Sequence, residues 1–141
     1  MTIRIINYSP GPFSFNVELW KKSKDTERIN LEANPQIRFT QGSDYLGCQI
    51  DLKLIQEDNI ILLSAGMLFG VQLIDWDGEK NEQGVLLPSK EELKEVMKKI
   101  WTLVTGAVAA LSFEKGKVNL ILPPVDLDQL ILGTTFQKSL A

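Results

Sequence analysis

The sequence predicts an α+β protein in which an antiparallel sheet comes first and two helices follow. Three observations carry this prediction. Apolar and polar residues alternate with a period of two over much of residues 13–54. An apolar run at residues 60–74 contains two glycines that a helix interior would tolerate poorly. From Pro88 onward the apolar residues follow helical spacing. We expect one domain, residues 1–141, with a β half over about 1–76 and a helical half over about 88–133.

The N-terminal part predicts short strands separated by turns. Residues 3–6 suit a first strand, which the turn-forming residues 9–12 (SPGP) would end. Residues 13–19 alternate strictly, which is typical of a half-buried strand. Weaker alternation over residues 29–39 is interrupted at Asn34-Pro35. The expected sheet therefore has four strands, and five strands remain an open alternative.

The clearest strand pattern lies at residues 46–54, and a short polar link at residues 57–59 joins it to the apolar run at 60–74. Elements so close in sequence are expected to be antiparallel neighbours. The run at 60–74 is apolar on both faces of an extended chain, which predicts a long, bent, central strand covered on both sides. Gly66 and Gly70 would mark a bend, a bulge or a close backbone approach.

Two helices are predicted after Pro88. Ser89 and Glu92 match a capping box, and apolar residues then recur at helical spacing to Ser112, a rod of roughly 36 Å. After a break and an apolar crossover, Asp126 can cap a short final helix, with Gln129 completing a second capping box.

The second half of the long helix, residues 100–111, is apolar or small nearly all round. One small sheet covers only one side of a helix, so this composition predicts a subunit interface. The alternative is a helix buried on every side within one protomer. The predicted interface residues are Trp101, Thr102, Thr105, Gly106, Ala109 and Ala110.

Composition excludes several classes of protein. A formal net charge of -3 and a pI near 5.0 argue against a nucleic-acid-binding protein. The N-terminus does not have the order of a signal peptide, and the apolar stretch at residues 100–113 is too short to cross a bilayer, so we expect no membrane insertion. A single cysteine, Cys48, fits a reducing compartment. A cytoplasmic protein is expected.

The residues that most enzymes use are missing from the sequence. It contains no histidine, which removes the commonest general base and most zinc sites. Cys48 lies on an inward strand face and is expected to be a structural thiol. Asp75, Asp77 and Glu79 alternate near a turn but lack the downstream glutamate of a calcium loop. We therefore expect neither catalysis nor a cofactor nor a metal site.

Two segments resemble the SecB family of export chaperones. Residues 64–71, SAGMLFGV, are similar to the small-Gly-x-aromatic stretch in that family's third strand. Residues 122–131, LPPVDLDQLI, are similar to the sequence that introduces its second helix. The shared order of strands, long helix, crossover and short helix covers about residues 35–132.

The resemblance implies an antiparallel sheet with one long and one short helix packed on one face, and a homodimer or homotetramer assembled through the long helix. It implies a holdase without cofactor that binds unfolded or pre-secretory segments in an apolar groove. Carried over by position, the groove residues are Met67, Phe69, Val71, Leu120, Leu122, Leu127, Leu130 and Ile131. Core packing is the competing assignment for each of them.

Two functions fit these observations. One is a cytoplasmic SecB-like chaperone for unfolded client proteins. The other is a binding module of the same fold that is dedicated to one partner protein, such as a toxin or an effector, and has no general chaperone activity. The second is suggested by the long helix, which follows Leu87-Pro88 and lacks the Cys-Pro opening usual in the family.

Overall fold

Over the residues that the structure describes, the chain forms five strands and three helices. The computed structural model describes residues 2–22, 29–40, 44–56, 59–82, 84, 86–122, 125–132 and 135–139. The strands are β1 (Thr2–Phe15), β2 (Ile29–Thr40), β3 (Tyr45–Gln56), β4 (Ile60–Ile74) and β5 (Thr135–Ser139); the helices are α1 (Val17–Lys22), α2 (Lys90–Gly116) and α3 (Leu127–Leu132). The strands lie in the order β1-β4-β3-β2-β5, with the helices packed on one face.

The β3–β4 hairpin forms the centre of the core, as the alternation at residues 46–54 predicts. Cys48 pairs with Phe69 and Ile50 with Met67 in an antiparallel register. All four side chains are buried on the face that carries the helices. Because cross-strand neighbours on one face pack against each other, this hairpin forms the floor on which α2 lies.

The opposite face of β4 is open in the protomer, so the predicted coverage of both faces is not found. Leu68 on that face is 48% exposed. Its neighbours along β4 are small or polar residues that bury little apolar area: Ser64, Gly66, Gly70 and Gln72. Near the start of β4, Leu63 pairs with Leu54 but Ile61 pairs with Ile55, so Leu62 is an extra, bulged residue. The bulge leaves Ile61 46% exposed.

β1 is one strand of 14 residues, although the sequence predicted a short strand, a turn and a second strand. The SPGP segment stays in the strand, and a register shift between Pro10 and Phe13 absorbs it as a bulge. At Gly11 a Cβ atom would lie 2.8 Å from the carbonyl oxygen of Gly66, so a side chain there would collide with β4. These residues mark a close backbone approach.

α1 replaces the end of the strand predicted at residues 13–19. Asn16 caps this helix, since its Oδ1 accepts a hydrogen bond from the Leu19 backbone N–H at 3.1 Å. The Asn16 carbonyl accepts from the Trp20 N–H at 3.1 Å. The polar cap outweighs the apolar alternation that continues to Leu19.

β2 pairs with β3 from Ile29 to Phe39 without interruption, so Asn34-Pro35 do not break the strand. On its other side β2 pairs with β5 in parallel, from Gln36 with Thr135 to Thr40 with Ser139. The four long strands form the predicted antiparallel sheet. The fifth strand differs from the expectation because it follows a helix, and a helical crossover lets a strand enter a sheet in parallel.

α2 begins with the predicted capping box. The Ser89 Oγ accepts from the Glu92 N–H at 3.1 Å, and the Glu92 Oε1 accepts from the Ser89 N–H at 3.0 Å. The helix continues past Ser112 to Gly116, where Lys117 in a left-handed conformation ends it.

Among the described residues, α2 is long and apolar enough to cross a membrane by length and composition. In this structure it lies on the sheet, with its apolar side in the core.

Candidate functional site

A groove of about 430 Å³ lies between the first half of β2 and α3. We call it the β2–α3 groove. Its apolar lining comprises Ile29, Leu31 and Ala33 from β2, with Val125 and Leu130 beside or within α3. The exposed residues Asn30, Asp126 and Gln129 add polar groups. This volume falls in the range of about 300–1,000 Å³ that is typical of ligand pockets.

The position of β2 explains why the apolar side chains in its first half are only half covered. Residues 29, 31 and 33 share one face of the strand because side chains alternate with a period of two. They pack against the core from the edge of the four-stranded antiparallel sheet, and each stays partly exposed. β5 covers the outer side of β2 only from Gln36 onward. The groove is therefore a gap between the helical layer and the edge of the antiparallel sheet.

α3 is held beside this gap by its cap and by charged contacts with α2. The Asp126 Oδ1 accepts from the backbone N–H groups of Asp128 at 2.9 Å and Gln129 at 3.4 Å. This confirms Asp126 as the N-cap. The Asp128 carboxylate lies 3.4 Å from the Lys94 Nζ and 4.0 Å from the Lys90 Nζ. These contacts join the exposed side of α3 to the first turns of α2.

A second groove, of about 270 Å³, runs between α2 and the segment that leads into α3. We call it the α2 groove. It is lined by Lys98, Trp101, Thr102, Thr105, Leu122, Val125 and Leu127. Because Val125 lines both grooves, they meet at this residue. Together they form a bent track around the start of α3, lined by both apolar and polar groups.

The track offers apolar contact and hydrogen bonding rather than acid–base or metal chemistry. No group of three or more histidine, cysteine, aspartate or glutamate side chains in the described residues could hold a metal ion. The sequence has no histidine. Burial raises the pKa of the Cys48 thiol to about 12, so it stays protonated and unreactive at neutral pH. An extended chain with apolar side chains is the ligand class that suits this surface.

The predicted groove residues divide into two groups. Met67, Phe69 and Val71 are at most 2% exposed and lie in the core, where they offer no open surface. Leu120 and Ile131 also belong to the buried cluster. Leu122 and Leu130 are buried as well, but Leu122 and Leu127 line the α2 groove and Leu130 lines the β2–α3 groove.

The predicted interface residues also separate by exposure. Trp101 is buried against the core and lines the α2 groove, whereas Thr102, Gly106 and Ala110 are exposed; Thr105 and Ala109 are partly buried. Both threonine hydroxyls donate to backbone carbonyls of their own helix, to Lys98 and Trp101 respectively. With Leu103 44% and Phe113 46% exposed beside them, this helix face is open and predominantly apolar.

Sequence reasoning missed the contribution of β2 and of Val125. Ile29, Leu31 and Ala33 were recognised as an alternating segment but not as part of a groove. The available signal was an apolar period-two pattern next to Asn34-Pro35, since prolines in sheets concentrate on edge strands. An apolar edge strand has one side that its own sheet does not cover.

The outer face of the sheet carries a third groove, of about 590 Å³, with a different character. Its lining is largely polar and comprises Pro12, Asn34, Gln36, Asp51, Leu52, Lys53, Ser64, Ala65 and Gly66. This surface lies on the side of the sheet away from α2. Its apolar contribution comes from Pro12, Leu52 and Ala65, which lie among charged, amide and hydroxyl side chains.

The architecture is similar to that of a solved SecB-like chaperone structure. The Mycobacterium tuberculosis Rv1957 SecB-like chaperone, in complex with a ChAD peptide from the Rv1956 HigA1 antitoxin, aligns with a TM-score of 0.54 and 13% sequence identity. The alignment covers 88% of this chain and 88% of that chain. The fold is SecB-like. No protein-family model matches the sequence, and no curated protein matches it. The similarity to SecB-like proteins is therefore shown by the structure and not by the sequence.

Proposed function

We propose that this chain is a cytoplasmic SecB-like chaperone that holds unfolded or pre-secretory polypeptide segments without a cofactor. The observation that carries the proposal is the β2–α3 groove, in which Ile29, Leu31 and Ala33 stay half open at the spacing of an extended strand. The α2 groove, which includes Leu122 and Leu127, extends the same surface. Both lie within a SecB-like fold.

The energy for holding a client comes from burial of its apolar side chains. Each Å² of apolar surface removed from water contributes roughly 25 cal/mol. A shallow track with mixed apolar and polar lining recognises the character of a segment more than its exact sequence. Because the folded client presents no such segment, binding stabilises the unfolded state by mass action and keeps it from aggregating.

A second function, a module dedicated to one partner protein, is favoured by a specific observation. The similar SecB-like chaperone Rv1957 was solved with a peptide from an antitoxin. A comparable use of this chain would couple the same groove to one toxin-associated or effector-associated segment. The two functions share a site and differ in the breadth of their clients.

Suppression of aggregation separates the two functions. Several unrelated denatured proteins are diluted into buffer with stoichiometric amounts of the chain, and light scattering is followed. A general chaperone keeps most of them soluble and co-elutes with them in size exclusion. A dedicated module protects none of this panel. If the chain suppresses the aggregation of no client and co-elutes with none of them, the chaperone proposal is wrong.

We also propose that the chain assembles into a homodimer or homotetramer through the open face of α2. Apart from the neighbouring backbone of α2 itself, no described atom would lie within 4 Å of a Cβ atom at Gly106, and Leu103 and Phe113 are exposed on the same helix. Gly106→Leu should force two packed helices apart and lower the mass measured by light scattering. The matched control is Glu95→Leu, on the charged half of the same exposed face. An unchanged mass for Gly106→Leu would remove this face from the assembly.

A further inference from the structure

Among the described strands, the outer edge of β2 has a partner along only half of its length. On the β3 side, β2 is bonded from Ile29 to Phe39. On the outer side, the pairing with β5 begins at Gln36 and ends at Thr40. Among the described strands, none pairs with the outer side of residues 29–34. A strand edge of this kind presents backbone N–H and C=O groups that another chain can bind.

Pro35 marks the boundary between the paired and the open half. It has no amide hydrogen, yet the ladder with β3 continues through its pairing with Ile50. A proline in a sheet directs its nitrogen away from the ladder. Ala33 is two residues away and so has the same backbone orientation, because strand amides alternate between the two edges. The Ala33 amide therefore faces the open side.

The open half of the edge and the β2–α3 groove involve the same residues. Ile29, Leu31 and Ala33 supply the groove's apolar side chains and also belong to the unpaired stretch. A strand added here would place alternate side chains toward the groove, since its own residues also alternate between faces. Backbone pairing and side-chain burial can thus be satisfied by one extended segment.

We propose that an extended apolar segment of a client protein adds to β2 as a strand along residues 29–34, in line with β5. The inference rests on the proposed function and specifies how the client is recognised. The β2–β5 ladder is the part of this edge already formed, and the client continues it. Recognition through the backbone explains how one site accepts many sequences.

β5 then acts as an internal competitor for long clients. It occupies residues 36–40 of the edge, so a client longer than the open half meets the chain's own C-terminal strand. Short segments bind without disturbing it. Long segments gain further backbone pairs only if β5 leaves.

Strand addition is tested with a labelled peptide in which leucine and threonine alternate. Two versions carry N-methyl groups, one on the leucine amides and the other on the threonine amides, and both keep every side chain. In a strand these two sets of amides face opposite edges. We expect one version to lose affinity by about tenfold or more, because several hydrogen bonds are removed, while the other stays within about twofold of the parent. Equal affinities for all three peptides would overturn strand addition.

The protein side is tested with two variants whose folding is checked by circular dichroism. Ala33→Pro removes an open-edge amide and should weaken the parent peptide about threefold or more. A chain ending at Leu132 lacks β5; it should bind a peptide of doubled length at least about threefold tighter than the full chain and bind the short peptide equally well. An equal gain in affinity for the short and the doubled peptide would contradict competition by β5.

The outcomes distinguish this inference from the proposed function. If denatured proteins are held but the alternating peptides do not bind, or bind without dependence on N-methylation, the client is not added as a strand and the chaperone proposal stands. If the full chain holds neither denatured proteins nor peptides, the proposed function itself fails.

Discussion

The centre of β4 and the start of β2 both place apolar side chains on the inner face of the sheet, but in opposite surroundings. Phe69 in β4 is 1% exposed, between β3 and β1 and beneath the helical layer. Leu31 in β2 has a similar apolar side chain but stays partly exposed at the sheet edge, beside the gap left by α3. The comparison teaches that apolar alternation identifies the side chains that face inward. Strand order and helix position decide whether these side chains serve stability or binding.

Truncation of one inward side chain on each strand should separate these two regions most strongly. Phe69→Ala should lower the free energy of unfolding by about 3–5 kcal/mol, because it empties a packed site in contact with the Tyr8 ring. Leu31→Ala should cost about half as much or less, since water already reaches the site. Urea denaturation followed by circular dichroism measures both. Equal losses would mean that the β2 edge is as well packed as the centre.

Cys48, in the buried centre of the sheet, should make the free energy of unfolding depend on alkaline pH. Burial raises the pKa of this thiol from an ordinary 9.0 to about 12, so the folded state favours the protonated form. The stabilisation is complete below pH 9 and is lost as the pH rises toward 12, on the order of 2 kcal/mol by pH 10.5. Cys48→Ala should flatten the decline in unfolding free energy between pH 8 and 10.5. An identical decline in both proteins would show that the thiol does not contribute.

Binding by the β2–α3 groove should depend on the inward side of β2 and not on the outward side. Leu31→Ser places a hydroxyl in the groove and should weaken peptide binding by on the order of tenfold, because apolar contact is lost. Glu32→Ser, one residue away on the opposite face, is the matched control and should leave affinity within about twofold. Fluorescence anisotropy measures both. Equal effects would move the client site away from the groove.

Removal of the N-cap of α2 should lower the free energy of unfolding by a smaller amount. Ser89→Ala removes the acceptor for the Glu92 N–H and should cost about 1 kcal/mol of unfolding free energy. Ser89→Asp keeps an acceptor and should retain most of the stability. If both variants lose the same amount, the capping hydrogen bond is not the cause.

The smallest expected effect concerns the ion pairs between α2 and α3. Asp128→Asn should lower stability by about 0.5 kcal/mol or less, because the carboxylate is 47% exposed and its partners are solvated lysines. The difference from the parent protein should shrink in about 1 M salt. A loss above about 1 kcal/mol that salt does not change would show that Asp128 acts through the fold of α3 instead.

Local patterns predicted the elements that depend on local chemistry. The capping box at Ser89, the cap at Asp126 and the β3–β4 hairpin are confirmed, because each follows from residues close in sequence. The SPGP segment in β1 was misjudged, since its pairing with β4 converts turn residues into a bulge. Long-range pairing can override a local turn preference.

The candidate site could be predicted only in part. Leu122, Leu127 and Leu130 lie on the grooves, but Met67, Phe69 and Val71 lie in the core. Position along the sequence could not separate these groups, because exposure depends on where α2 and α3 lie over the sheet. The β2 contribution required the strand order, which places β2 at the edge of the antiparallel sheet.

The position of β1 has a consequence for how the chain folds during synthesis. β1 is translated before its strand partner β4, and its Ile3 carbonyl accepts a hydrogen bond from the Lys99 Nζ of α2 at 2.8 Å. β4 leaves the ribosome only after β2 and β3, and Lys99 leaves it later still. The N-terminal segment must therefore wait, unpaired, while β2, β3 and β4 emerge. A protein proposed to shelter unfolded segments thus itself depends on an exposed one early in its life.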